Sequence, residues 1–516
     1  MRLDWPAAQQ AAETAVAPWR ATPGPGGAIV LFDRSGVRGE AAAGLASLSH
    51  GLPFTPDTRA RFASITKHIF NAFALGHGLS TEDGLGTLLP GLPAAFAPIS
   101  VGDALAMTGG LPDLLQTYTL CGLPYSARID LDTLDAFCDR LDAGNGLPGR
   151  EIVYSNTGYR MVERGLAGQG LQFGPWIENT VNAALGTALR YPVHWDRPLD
   201  DLAEGYWRES PQAPWRTGFY GPGLSASGAV TGSARDLALW LAALLRADGP
   251  AGDVLDRLAR PRPLADGRAT GYGLGLLETP LGQRILIGHG GSLPGFKNEI
   301  LFEPGSGTGM VLLCNREDAD AQAMALPVMA ALLGEPMPAA EAPAGLPQGF
   351  FVEDSGPAWI EIAGAGLTFL GTATELEAGP CHGTAVSTSS YMPVDLRTAG
   401  AEIVGEIGHA SRRFHPVAAD AALSGAMAGL WRNATHNATL SVSLDGRGGG
   451  SAGLGLGPLH RHEALVPLDA TRALMPVGAA PWASRACLWL ESPKTLRLAT
   501  HRSRILAFER IGPAEA

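Results

Sequence analysis

Apolar and polar positions alternate at two different periods along the first two thirds of the chain. Gly27-Ala28-Ile29-Val30-Leu31-Phe32 is an apolar run that predicts a strand, closed by a polar turn over residues 33–39 and followed by a weaker second strand. Over residues 62–79 the spacing becomes helical, through Ile65, Ile69, Phe70, Phe73 and Ala74, with Ser64 near the start. Further helices are predicted at 101–107, 131–141, 176–189 and 233–245, joined by long Gly/Pro-rich connections such as 219–228. Four short apolar segments, starting at Tyr272, Arg284, Asn298 and Gly309, are separated by turn residues and predict an antiparallel sheet. A helix over 321–333 closes this unit.

The pattern then stops. Residues 334–347 are a Pro/Ala-rich linker with little capacity to fold, which places the end of the first domain at residue 333. Beyond it the helical period is gone, and short alternating segments such as Trp359-Ile-Glu-Ile and Thr439-Leu-Ser-Val predict two β-rich domains, 348–420 and 421–516. A loose echo supports two modules: Gly349-Phe-Phe-Val and Gly429-Leu-Trp-Arg each stand about ten residues before a strand. The Gly-rich tract over 448–457 reads as a flexible turn rather than a phosphate cradle, because no helix signal follows it.

Composition narrows the possible partners. The 516 residues are 46% hydrophobic and 17% charged, which excludes a disordered chain and requires more than one core. A net charge of -12 without any dense basic cluster argues against nucleic acid and against an anionic membrane surface as partner. No apolar run is long enough to span a bilayer, and the first residues, with Asp4 and Glu13, lack the basic start and apolar core of an export signal, so a cytoplasmic chain is expected. The five cysteines are scattered without CxxC spacing, so neither a disulfide framework nor a zinc site is indicated, and small buried side chains are their expected role. Only three of the 38 basic residues are lysines: Lys67, Lys297 and Lys494.

One of those lysines completes Ser64-Ile65-Thr66-Lys67, a hydroxyl and an amine at i and i+3 on one helix face. This is the S-x-x-K arrangement of serine acyl-transfer enzymes, in which a desolvated lysine, or a group it perturbs, takes the serine proton. An N-capping serine beside a solvated lysine is the structural alternative. Tyr154-Ser155-Asn156 places a phenol and an amide on one turn; beside a lysine ammonium the phenol can become a base, and the amide can hold a substrate amide, although this turn taken alone reads better as a packed tyrosine and an Asn-led turn. His289-Gly290-Gly291-Ser292 follows an apolar strand, and its small residues leave the strand edge open to a substrate backbone, with a backbone N–H there as an oxyanion donor.

In the order S-x-x-K, Y-x-N, H-G-G, with supporting segments at 105–113, 154–159, 226–237 and 272–276, the chain resembles the penicillin-recognising serine hydrolases, in their class C β-lactamase and D-aminopeptidase branch, over about residues 25–330. The resemblance implies an α+β fold: a β-lactamase/transpeptidase-like domain, with an antiparallel sheet flanked by helices and a helical subdomain, followed by two antiparallel β-barrels. It implies Ser64 as nucleophile, Lys67 and Tyr154 as the proton-transfer pair, and Asn156, Gly290, Gly291 and Ser292 as substrate contacts. His289 stands where relatives carry the lysine of K-T-G, and the N–H groups of Ser64 and Ser292 form the oxyanion hole. It further implies no cofactor and no metal, a homodimer, and a loop of the last barrel reaching the cleft to restrict it. Residues 479–485 are the candidate loop, and no carboxylate of the last module is assignable as the receptor for a substrate amine.

A histidine at position 289 supplies a weaker, pH-dependent positive charge than lysine does, which disfavours carboxylate-bearing substrates such as β-lactams. The expectation is therefore a serine aminopeptidase releasing small N-terminal D-residues, D-alanine above all, from small peptides or amino-acid amides. The rivals are an esterase or D-Ala-D-Ala carboxypeptidase on the same chemistry, a non-hydrolytic peptide-binding or penicillin-sensing protein, and carbohydrate binding through Trp359, Trp431 and Trp489.

Overall fold

The computed structural model describes residues 3–338, 341–387, 389–455 and 457–513; Ala339 and Ala340 of the linker and Leu456 of the Gly-rich tract lie outside the described residues. Six strands, all antiparallel, form the first sheet in the order Gly36–Ala43, Gly27–Asp33, Thr308–Cys314, Phe296–Glu303, Arg284–Leu293 and Leu277–Leu281. Alternate side chains serve two cores. Ile29, Leu31, Met310 and Leu312 meet the helices Trp5–Ala21 and Ala321–Leu333 on one face. Ala28, Val30, Val311 and Leu313 meet the helices Thr66–Gly76 and Ala234–Leu245 on the other. Burial on both faces is why these central strands read as unbroken apolar runs.

Several elements differ from the sequence reading. The 62–79 helix begins at Thr66, after a separate 3₁₀ turn Ala63–Ile65. Residues 272–276 are not a strand: Gly275, at φ 74°, coils the chain against the Ser64 helix, where a Cβ would lie 2.7 Å from the His68 amide. The 176–189 helix is a wide turn, Trp176–Val181, then one short helix, Asn182–Leu185, stopped by Gly186. Trp5–Ala21, capped by Asp4, and Thr157–Gly168 are helices the pattern did not suggest.

Nine antiparallel strands between Gly349 and Pro416 form a nearly closed barrel whose two edge strands, Thr372–Glu375 and Glu377–Ala378, adjoin in sequence. Eight more form a closed barrel, sealed where Gly429–Asn433 pairs with Ser503–Gly512. Gly450–Leu454 is a strand of this barrel, correcting the flexible-turn reading of the Gly-rich tract. Trp359 and Trp431 are wholly buried in the two barrel cores, which removes them as a carbohydrate surface. Among the cysteines Cys138, Cys314 and Cys487 are buried, whereas Cys381 is exposed, against the expectation of burial.

The three units meet at one carboxylate. Glu151 of the first unit pairs with Arg504 of the closed barrel at 2.7 Å and with Arg412 of the nine-stranded barrel at 3.2 Å, and Arg412 reaches on to Glu353 at 3.0 Å. All four side chains are largely buried, so each charge depends on its partners for the solvation it has lost. Ile152 also donates to Gly408 O at 3.0 Å, so both barrels grip the segment that leads into Tyr154. Glu151→Ala, which strands two arginines, is expected to cost about 3 kcal/mol. An earlier midpoint in urea denaturation followed by tryptophan fluorescence, together with reduced turnover, is the measurement.

Candidate active site

Ser64 sits at the head of the Thr66–Gly76 helix, on a turn pinned from several sides. Ala63 adopts φ 53°, a region alanine seldom enters, and so commits local strain to presenting Ser64. Phe62 N–H donates to Val230 O at 2.9 Å, and Val230 N–H to Thr66 Oγ1 at 3.1 Å. Buried His68 contacts Ile65 O through Nδ1 at 2.6 Å and accepts Trp240 Nε1–H at Nε2, 2.9 Å away. Burial lowers its pKa to about 4, so it is a neutral brace.

Lys67 is fully buried. Its Nζ lies 2.8 Å from Asn156 Oδ1, 2.8 Å from Ser227 O and 3.2 Å from Ser64 Oγ. Desolvation drives its pKa well down; the Asp113 carboxylate opposes this and the Arg502 guanidinium adds to it. A neutral amine has two N–H bonds and one lone pair. Asn156 Oδ1 and Ser227 O accept only, so they take the two N–H bonds, and the lone pair is left to the one partner that can donate, Ser64 Oγ. The ammonium form would instead donate to all three oxygens, which makes the site a proton acceptor poised on Ser64.

Asn156 is oriented by Asp113, a residue outside the expected site although inside the 105–113 segment. Asp113 Oδ2 accepts from Asn156 N and Nδ2, both at 2.8 Å, while Oδ1 caps the Leu114–Leu120 helix at Leu115 N and Gln116 N. Tyr154 donates its hydroxyl to Ser64 Oγ at 2.7 Å. Burial raises its pKa far above the ordinary range, the Ser64 hydrogen bond and Arg502 only partly opposing it. Burial therefore favours the phenol, a proton donor to Ser64, over the phenolate that a neighbouring ammonium would favour.

His289 is brought to the same cleft but not as a charge. Burial, reinforced by Lys67, lowers its pKa to about 3. Its Nδ1 contacts Gly290 O at 2.5 Å, and its Nε2 is 2.8 Å from the hydroxyl of Tyr272. Burial thus disfavours the pH-dependent cation expected there. The strand edge is not open either: Gly290 N–H donates to the hydroxyl of Tyr391, from the nine-stranded barrel, at 2.9 Å. Backbone N–H groups of a strand alternate in direction, so Ser292 N–H faces the same side as Gly290 N–H. Gly291 packs against the Ser64 turn, where a Cβ would lie 2.2 Å from Phe62 O.

Ser64, Tyr154, Asn156, His289, Gly290, Gly291 and Ser292 all line one cavity of about 950 Å³. The barrels supply its outer wall. The expected 479–485 loop is there, with Trp482 packed on Tyr125 and Tyr220 at ring distances of 5.4 and 6.1 Å. A second turn, unforeseen, goes deeper. Arg502 O accepts from Asp113 N at 2.8 Å and from Asn145 Nδ2 at 2.9 Å, Arg502 N donates to Gln116 Oε1, and Ser503 Oγ meets Thr117 Oγ1 at 2.8 Å. This carries the Arg502 guanidinium over the Tyr154 ring, 4.6 Å from its centre. A positive charge does stand in the cleft, but it comes from the closed barrel rather than from position 289.

A buried lysine and a phenol both bonded to one serine hydroxyl, on a sheet sandwiched between helices, define a serine hydrolase. The chain belongs to the Beta-lactamase family, whose pattern matches residues 14–333. It is 26% identical over 403 residues to a D-aminopeptidase of Gluconobacter oxydans, covering 74% of each chain. Among solved structures it resembles the octameric penicillin-binding protein homologue of Pyrococcus abyssi, with a TM-score of 0.54 and 17% identity over 98% of this chain and all of that one. It also resembles the D-amino acid amidase of Ochrobactrum anthropi, with a TM-score of 0.51 and 21% identity over 64% of this chain and 98% of that one. Among the described residues no helix is long and apolar enough to cross a membrane.

Arg502 holds the Lys67 pKa down, so its removal lets the amine keep its proton to higher pH. In Arg502→Gln the acidic limb of the kcat/KM profile against pH is expected to move to higher pH.

Proposed function

We propose that this protein is a D-stereospecific aminopeptidase that releases small N-terminal D-residues, D-alanine foremost, from short peptides, amides and esters. The observation that carries the reading is Ser64 Oγ held between the Lys67 amine and the Tyr154 phenol inside a cavity closed by the barrels. The similarity to a D-aminopeptidase and to the fold of a D-amino acid amidase supports the substrate class.

In the proposed reaction Ser64 Oγ bonds to the carbonyl carbon while its proton passes to Lys67 Nζ. The N–H groups of Ser64 and Ser292 hold the oxyanion. The C–N bond breaks, the leaving nitrogen takes the Tyr154 proton, and the Lys67 ammonium restores it, so that the net transfer is the serine proton to the leaving amine. Water then cleaves the acyl-serine, its proton returning along the same groups, and frees the D-amino acid. Asn156 fixes Lys67 and contacts the substrate amide; neutral His289 and Gly290 and Gly291 shape the edge of the strand.

We place the domain limits at 1–333, 348–420 and 421–516, with the linker at 334–347 between the first two. The working unit is proposed to be a cytoplasmic homodimer, and the five unpaired cysteines support a reducing compartment. Ser64→Ala is expected to lower kcat on D-alanine p-nitroanilide by about a thousandfold or more. The native enzyme should prefer that substrate over its L-isomer and fail on its N-acetylated form. Full turnover by the alanine variant sinks the mechanism, and equal turnover of the acetylated substrate favours the esterase reading.

A further inference from the structure

The cavity is lined by three cationic side chains, those of Arg160, Lys297 and Arg502. The first two are committed elsewhere. Arg160 pairs with Asp135 at 2.7 Å and with Glu163 at 3.0 Å. Lys297 pairs with Glu317 and donates to Ser292 Oγ, both at 2.9 Å. Arg502 is half-buried, yet among the described residues no carboxylate pairs with its guanidinium and no oxygen accepts from it; the group lies instead over the Tyr154 ring.

Arg502 is also held in place from both sides. His501 N–H donates to Leu370 O at 2.9 Å, Arg504 N–H donates to Asn145 Oδ1 at 2.8 Å, and Arg502 itself is bonded at both its N and its O. The two barrels and the first unit thus fix a guanidinium, which stays charged at any working pH, in a cleft wall without a counter-ion. A partly desolvated charge without a partner is costly, and a ligand anion would supply one. Burial disfavours a cation at His289, which leaves Arg502 as the unpaired cation of the cleft.

The place of Arg502 decides which part of a substrate carries that anion. Tyr154 donates to Ser64 Oγ at 2.7 Å and, in the proposed reaction, protonates the leaving nitrogen. That nitrogen therefore sits at the hydroxyl end of the ring that Arg502 covers, with the guanidinium 4.6 Å from the ring centre. In a dipeptide the carboxylate of the leaving residue is two covalent bonds from this nitrogen. In a longer peptide an uncharged amide takes its place, and the charge moves about 3.5 Å further off with each added residue. The guanidinium fork matches a carboxylate with two parallel charge-assisted bonds, whereas an amide offers it one neutral oxygen.

Resting on the aminopeptidase reading, we propose that Arg502 is the receptor for the α-carboxylate of the residue that leaves, so that the preferred substrates are free dipeptides with an N-terminal D-residue. Arg502 is in this role a specificity-determining contact of the leaving half of the substrate and carries no proton of the relay.

The test compares D-alanylglycine with D-alanylglycinamide, which differ in a carboxylate against an amide, by the D-alanine each releases. The native enzyme should favour the acid. In Arg502→Gln the ratio of kcat/KM values, acid over amide, should fall by roughly tenfold or more, through a raised KM for the acid, while turnover of the amide persists and reports an intact fold. The shift of the acidic limb expected for this variant acts through Lys67 on both substrates alike, so the ratio reads recognition alone. If the glutamine variant turns over neither substrate, Arg502→Lys decides: a retained preference for the acid supports the assignment and a lost one overturns it. A native enzyme that does not favour the acid, or an unchanged ratio in Arg502→Gln, overturns it as well. A native enzyme that releases D-alanine from neither substrate nor from D-alanine p-nitroanilide overturns the aminopeptidase reading instead.

Discussion

The site depends on keeping one amine out of water. Lys67 is useful as a base only while it is neutral, and burial within Thr66–Gly76, with carbonyl oxygens around Nζ, favours that form. The Asp113 carboxylate works against this by attracting a proton, yet it is needed to turn Asn156 so that its oxygen faces the lysine. Desolvation outweighs the carboxylate, and Arg502 shifts the balance further the same way. The same exclusion of water keeps Tyr154 protonated. One dry environment therefore produces both an acceptor and a donor at the same serine oxygen.

How much of this was legible depended on how local each signal is. Ser64 and Lys67 lie one helical turn apart, and Tyr154 and Asn156 share a turn, so residue type and spacing were enough to find them. The central strands were equally plain, because burial on both faces leaves an apolar run. The charge of His289 was not legible, since it depends on a surrounding that includes Tyr391, 102 residues away. Arg502 was hidden for the same reason: its place over Tyr154 follows from two barrels docking, and a turn of closed barrel carries no motif. Residues 272–276 misled because alternating Gly and Leu mimic a strand, whereas the glycines are there to let backbone approach backbone.

The barrels are part of the catalytic unit in a physical sense. Glu151 anchors both of them three residues before Tyr154, the nine-stranded barrel sends Tyr391 to the Gly290 amide, and the closed barrel sends Arg502 to the Tyr154 ring. Each contact reaches a group that bears on proton transfer or on the cleft wall. Docking and chemistry are in this way coupled through a few polar contacts together with shared apolar packing, Leu120 entering the closed-barrel core and Ile505 the core of the first unit.

The Tyr391 hydroxyl on Gly290 N–H has a consequence of a different kind. An exposed strand edge binds any extended polypeptide through backbone hydrogen bonds, with little regard to its sequence. Here the amide that would begin such pairing already has a partner from the same molecule. A long chain finds no ladder to extend, and only a ligand short enough to sit between the walls gains by entering. The strand edge is thereby withdrawn from backbone pairing by a contact within the molecule itself, at the same glycine that lines the cleft.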